Sequence, residues 1–183
     1  MGQFNGLLRA EFRPPKNWNL IQPLTYTTND IHEKTNLWRM AIDLLNYNTK
    51  LGNLIDADET SPWEKSPLFN KTLIDVENGD LVIRVPSGFS TDLASVPRPL
   101  WWLIAPTDIA RAAVIHDLLY TILESYISHT PNLTKQIKKR LRKLCDKVFY
   151  HAMLDSRPKV PIWKINATYG AVRCFGWTAI KGY

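Results

Sequence analysis

Residues 134–154, "TKQIKKRLRKLCDKVFYHAML", constrain the fold more than any other stretch. Ile137, Leu141, Leu144, Cys145, Val148, Phe149 and Ala152 recur at intervals of three and four, a stripe that only a helix gathers on one face. Such a stripe has to be buried, and the neighbouring sequence supplies helices to bury it. Residues 107–127 read as one, with Thr107-Asp108 as its cap and "SHTPNL" as its break. "WKINATYGAVRCFGW" reads as a third, shorter helix. Upstream the period changes to two. Residues 7–28, "LLRAEFRPPKNWNLIQPLTYTT", alternate apolar and polar positions around Pro14-Pro15-Lys16-Asn17, and "TLIDVENGDLVIRVPSGF" does so around Asn78-Gly79, a hairpin-turn dipeptide. The expected architecture is α+β: N-terminal antiparallel strands, then a three-helix C-terminal half with an antiparallel helix pair.

With 183 residues, 45% of them hydrophobic, the chain can bury one sizeable core, so residues 1–183 are expected to form a single domain. Residues 30–70 read as an insertion, helical at first, where Leu37, Ala41, Leu44 and Leu45 follow a Thr35-Asn36 cap, and irregular from 48 on. The two cysteines, Cys145 and Cys174, offer no disulfide framework and fit folding in a cytosol. "MGQFNGLLRAEF" has neither a basic start nor a long apolar run, and no segment approaches a membrane span; the expectation is a soluble protein. The net charge of +6 favours polyanionic neighbours.

The chemistry concentrates in "RAAVIHDLLY", residues 111–120. On a helix, Ala113, His116, Asp117 and Tyr120 fall within an arc of about 100°. Asp146 projects onto the flank of the apolar stripe, at its edge beside Phe149 and Met153. From there it can hold the His116 ring across an antiparallel helix pair and fix the tautomer that makes imidazole a general base. The same residues serve equally as a polar network that fastens helices. In "PSGFSTDLASVPR", Gly88 permits unusual backbone angles and Asp92 is a candidate cation ligand. Trp101-Trp102 suits core, interface or a membrane surface. The helix 134–154 also carries Lys135, Lys138, Lys139, Arg140, Arg142, Lys143 and Lys147, a basic face for solvent or for phosphate on an anionic membrane. Aromatic residues are not interleaved with these charges, which disfavours nucleic acid.

Together, "VPSGFSTDLASVPRPLWWLIAP", "ARAAVIHDLLY", "CDKVFYHAM" and "YGAVRCFGW" resemble, in order and spacing, the family named domain of unknown function 1353, over residues 7–28 and 72–178. That family occurs in tailed bacteriophages and prophages. The resemblance implies a phage protein made in the host cytoplasm and located in the virion, in tail, baseplate or neck, with other phage structural proteins as partners.

The His-Asp-x-x-Tyr helix followed by an aspartate on an antiparallel helix is also similar to phospholipases A2. That similarity implies His116 as the base activating water, Asp117 as a calcium ligand, and Tyr120 and Asp146 as supports. The function it implies is a calcium-dependent lipid ester hydrolase that helps a phage cross the host envelope. Those enzymes hold calcium with a glycine-rich loop, where this sequence offers Gly88 and Asp92. A His-Asp phosphohydrolase would need a further upstream histidine, and His32, inside the insertion, is the one present.

Overall fold

Asn78 and Gly79 both adopt positive φ, 51° and 86°, the left-handed pair that a tight two-residue hairpin requires. In the computed structural model, which describes residues 2–5, 8–13, 17–46, 73–91 and 106–180, this turn joins strands Ile74–Glu77 and Asp80–Val85. Asp92, Trp101-Trp102 and the irregular stretch 48–70 lie outside the described residues.

The strands are β1 (Gln3–Asn5), β2 (Ala10–Arg13), β3 (Asn17–Leu20), β4 (Leu24–Thr28), β5 (Ile74–Glu77), β6 (Asp80–Val85) and β7 (Ser90–Thr91). They form two antiparallel sheets, β1-β4-β6-β5 and β2-β3-β7. In β4, Leu24, Tyr26 and Thr28 are buried while Thr25 and Thr27 are only half-buried, the period-two pattern of a strand with one face inward. Leu81 to Val85 of β6 are buried without alternation, as a central strand covered on both faces is. The predicted pair around residues 14–17 is present as β2 and β3, in register from Ala10↔Leu20 to Arg13↔Asn17. Gly88, at φ 86°, donates to Leu20 O at 2.7 Å and turns the chain so that β7 pairs with β3.

Four helices follow the pattern of the sequence: α1 (Lys34–Asn46), α2 (Pro106–His129), α3 (Lys135–Leu154) and α4 (Ile162–Phe175), the last running into a 3-10 turn, Gly176–Ala179. α1 buries Ile31, just ahead of it, together with Leu37, Met40 and Ala41, and packs on β5 and α2. α2 is the axis of the core. Ile109, Ala112 to His116, Leu118 to Tyr120, Ile122, Leu123 and Ile127 are all buried, because β6, α1 and α3 surround it. That is why the His-Asp run is set in apolar sequence on every side. α3 starts where Thr134 Oγ1 accepts from Ile137 N at 3.3 Å, packs antiparallel on α2 and is covered along one flank by α4. Among the described residues, no helix is long and apolar enough to cross a membrane.

Candidate functional site

One carboxylate organises the helical half. Asp146 of α3 has no solvent exposure, and an ionised carboxylate can only accept hydrogen bonds, so burying it requires donors from its neighbours. α2 supplies two: Tyr120 donates its hydroxyl to Asp146 Oδ1 at 2.6 Å, and His116 Nε2 lies 3.1 Å from the same oxygen. α4 supplies the third, Arg173 Nη1 to Asp146 Oδ2. His116 and Tyr120 stand one turn apart on α2, so both reach the same atom. The His116 ring, 2% exposed, is stacked on Phe149 with centroids 4.6 Å apart and lies 4.0 Å from the Tyr120 ring. Gly176 closes the far side. A Cβ there would stand 2.6 Å from the Tyr120 hydroxyl, so only glycine leaves Tyr120 its place.

The electrostatics follow from this enclosure. Burial pushes the Asp146 carboxyl up, but the hydrogen bonds from His116, Tyr120 and Arg173 outweigh it and hold the group below the ordinary carboxylate range. Burial, then the charge of Asp146, pushes the Tyr120 hydroxyl far up, so it stays a donor. Burial lowers Arg173, yet its bond to Asp146 leaves it raised overall. An acceptor-only carboxylate at Nε2 selects the Nε2–H tautomer of a neutral His116, with the lone pair on Nδ1. Such a ring can take a proton at Nδ1 while Asp146 steadies the resulting charge. It can equally do no more than hold α2 to α3.

Asp146 is therefore not at an edge, where the projection of α3 alone sets it. The flank of its stripe is covered by α4, and a helical wheel of one helix cannot show that a third helix lies there.

Asp117, adjacent to His116 in sequence, goes elsewhere. Its Oδ2 accepts from Thr91 Oγ1 at the end of β7, and its carbonyl accepts from Thr121 Oγ1 at 2.8 Å. It is half-buried. The four residues of the predicted arc thus divide: His116 and Tyr120 meet Asp146, whereas Asp117 ties α2 to the second sheet and Ala113 is core. No group of three or more His, Cys, Asp or Glu able to hold a metal occurs among the described residues, and Asp92 is not one of them. His32 is exposed in the turn before α1. Cys145 is a buried thiol raised by desolvation, which makes it a packing residue rather than a nucleophile.

Arg173, Thr91, Phe149 and Gly176 escape sequence reasoning as site residues. Arg173 carried a signal, a lone charge in the otherwise apolar "YGAVRCFGW". The other three have none, because their roles depend on which elements touch.

Comparison with curated proteins and with solved structures finds no match. The family model described as protein of unknown function, DUF1353, matches residues 69–172, from just before β5 to near the end of α4. That span is more than half of the chain and contains His116, Asp117, Tyr120 and Asp146, and on it the chain belongs to the DUF1353 family.

Proposed function

We propose that this chain is a virion-associated protein of a bacteriophage, a part of tail, baseplate or neck assembled with other phage structural proteins. In this reading Asp146 is the fastening that keeps its helical half in one shape. The carrying observation is the complete enclosure of that carboxylate by three donors from two other helices. A buried group satisfied on all sides specifies one arrangement of helices, which suits a part that must fit its neighbours. The phage context is what the family resemblance implies. Mass spectrometry of purified particles of a phage encoding the chain tests the reading. Peptides of this chain are expected in intact virions; their absence from particles, with the chain present in the infected lysate, overturns it.

The contact of His116 Nε2 with the buried Asp146 carboxylate favours a second reading, a calcium-dependent hydrolase of phospholipid esters that aids passage through the host envelope. His116 Nδ1 would remove the proton from water as it attacks the ester carbonyl, Asp146 would stabilise the charged ring, and the ring would return that proton to the departing lysophospholipid oxygen as the acyl C–O bond breaks. Tyr120 keeps Asp146 oriented. Asp117 and Asp92 are the residues this reading assigns to calcium, whose part would be to polarise the carbonyl. Turnover of a phosphatidylglycerol substrate is then expected to need calcium and to vanish in His116→Gln. Activity that survives the substitution rules the mechanism out.

A further inference from the structure

The outer surface of the helical half combines two exposed rows that the Asp146 node does not use. On α3, Lys139, Lys143 and Lys147 follow one another at four-residue steps, about 6 Å each, within an arc of about 80°. Lys139 and Lys143 are exposed and Lys147 is half-buried. They line a groove that also holds Arg140 and Glu33, but those two pair with each other at 2.7 Å. Among the described residues no carboxylate pairs with the three lysines.

On α4, Trp163, Asn166, Gly170 and Cys174 form a second row of similar width, and Trp177 follows in the 3-10 turn beyond its end; all five are exposed and none is charged. Trp163 and Trp177 are each 53% exposed, one in the first turn of α4 and the other in the 3-10 turn beyond its end. Ile162 and Phe175 of the same helix are exposed as well.

One hydrogen bond joins the two rows. Tyr150, which falls inside the lysine arc, donates to Asn166 Oδ1 in the tryptophan row at 3.3 Å. α3 and α4 run antiparallel, with Arg142 Nη2 donating to Arg173 O at 3.3 Å, so Lys139 stands level with the Trp177 end.

We propose that this face of α3 and α4 docks on the surface of an anionic phospholipid bilayer, the two tryptophans entering the headgroup layer and the lysines meeting lipid phosphates. Indole rings settle at the boundary between headgroup and acyl chain, and lysines extend their stems along apolar surface to reach the charge. Single-stranded nucleic acid fits less well. A stacking track needs successive aromatics with cations alongside, whereas this row has a tryptophan only at each end. The proposal depends on neither reading of Asp146.

Co-sedimentation with lipid vesicles tests it. The full chain is expected to sediment with vesicles of phosphatidylcholine containing about 30% phosphatidylglycerol, not with phosphatidylcholine alone, and to be released by salt. Replacing Lys139, Lys143 and Lys147 by Gln should lower partitioning roughly a hundredfold, about fivefold per lysine. Trp163→Ser with Trp177→Ser should lower it by about tenfold or more. These side chains lie on the outer face, so the helical circular dichroism of each variant should equal that of the parent. Equal binding to neutral vesicles, no binding to anionic ones, or undiminished binding of the triple lysine variant each overturns the proposal. So does displacement from the vesicles by oligothymidylate at equal phosphate concentration, which would assign the face to nucleic acid.

Discussion

Asp146 and Asp155 stand on and at the end of the same helix, and each accepts a tyrosine hydroxyl, Tyr120 at 2.6 Å and Tyr26 at 2.8 Å. Burial, reinforced by the neighbouring carboxylate, pushes both tyrosines far above their ordinary range. There the likeness ends. Asp146 is sealed among α2, α3 and α4 with His116 and Arg173 as further donors. Asp155 is half-buried, caps α3, and takes its second bond from Gly2 N at 3.0 Å, which ties the helix to the first sheet. Water can replace a lost partner at Asp155 and cannot at Asp146. The same side chain is thus a replaceable tie at the rim and an obligatory one in the interior.

The largest expected effect separates the two directly. Asp146→Ala leaves His116, Tyr120 and Arg173 without their acceptor and should cost about 3–5 kcal/mol. Asp155→Ala should cost about 1–2 kcal/mol. Urea unfolding midpoints measure both, and equal losses would erase the distinction. Tyr120→Phe removes a bond to a buried charge and should cost about 1.5–3 kcal/mol. In a double-mutant cycle it should couple to Arg173→Met, through the shared carboxylate, and be additive with Tyr26→Phe.

Gly176→Ala should cost about 1–3 kcal/mol, since the new methyl meets the Tyr120 hydroxyl. In a Tyr120→Phe background, where that oxygen is gone, most of the cost should disappear. Persistence of the full cost would place the clash elsewhere.

The smallest effect is confined to acid. Asp146 is depressed below its ordinary value of 3.8, so the stability it brings is complete above that pH. It is lost as pH falls from there through the folded value. Thermal melts from pH 5 downward should show this loss in the native chain and its absence in Asp146→Asn, while Asp155→Asn should leave the acid loss of Asp146 in place.

Much of the fold was legible because it rests on local periodicity. The stripe from Ile137 to Ala152, the Asn78-Gly79 turn and the alternation of β4 each require one element type whatever surrounds them. The reach of His116 to Asp146 was legible too, since two antiparallel helices joined by a short connection meet along predictable faces. The enclosure of Asp146 was not. On α3 alone it reads as a flank residue, and its burial depends on α4 packing there and returning Arg173 to it. Nor was the parting of His116 from Asp117: successive residues of a helix point about 100° apart, and β7, which claims Asp117 through Thr91, is set by the pairing of a distant strand.

By itself the sequence determined the helices, the strands on either side of residues 14–17 and 78–79, their order and the polar residues carried on each helix face, because propensity and period act over a few residues; the short strands β1 and β7 exist only through their partners β4 and β3. Which of those residues meet, and which are closed off from water, was decided only by tertiary structure. Enclosure is a property of three helices at once, and no single stretch of chain contains it.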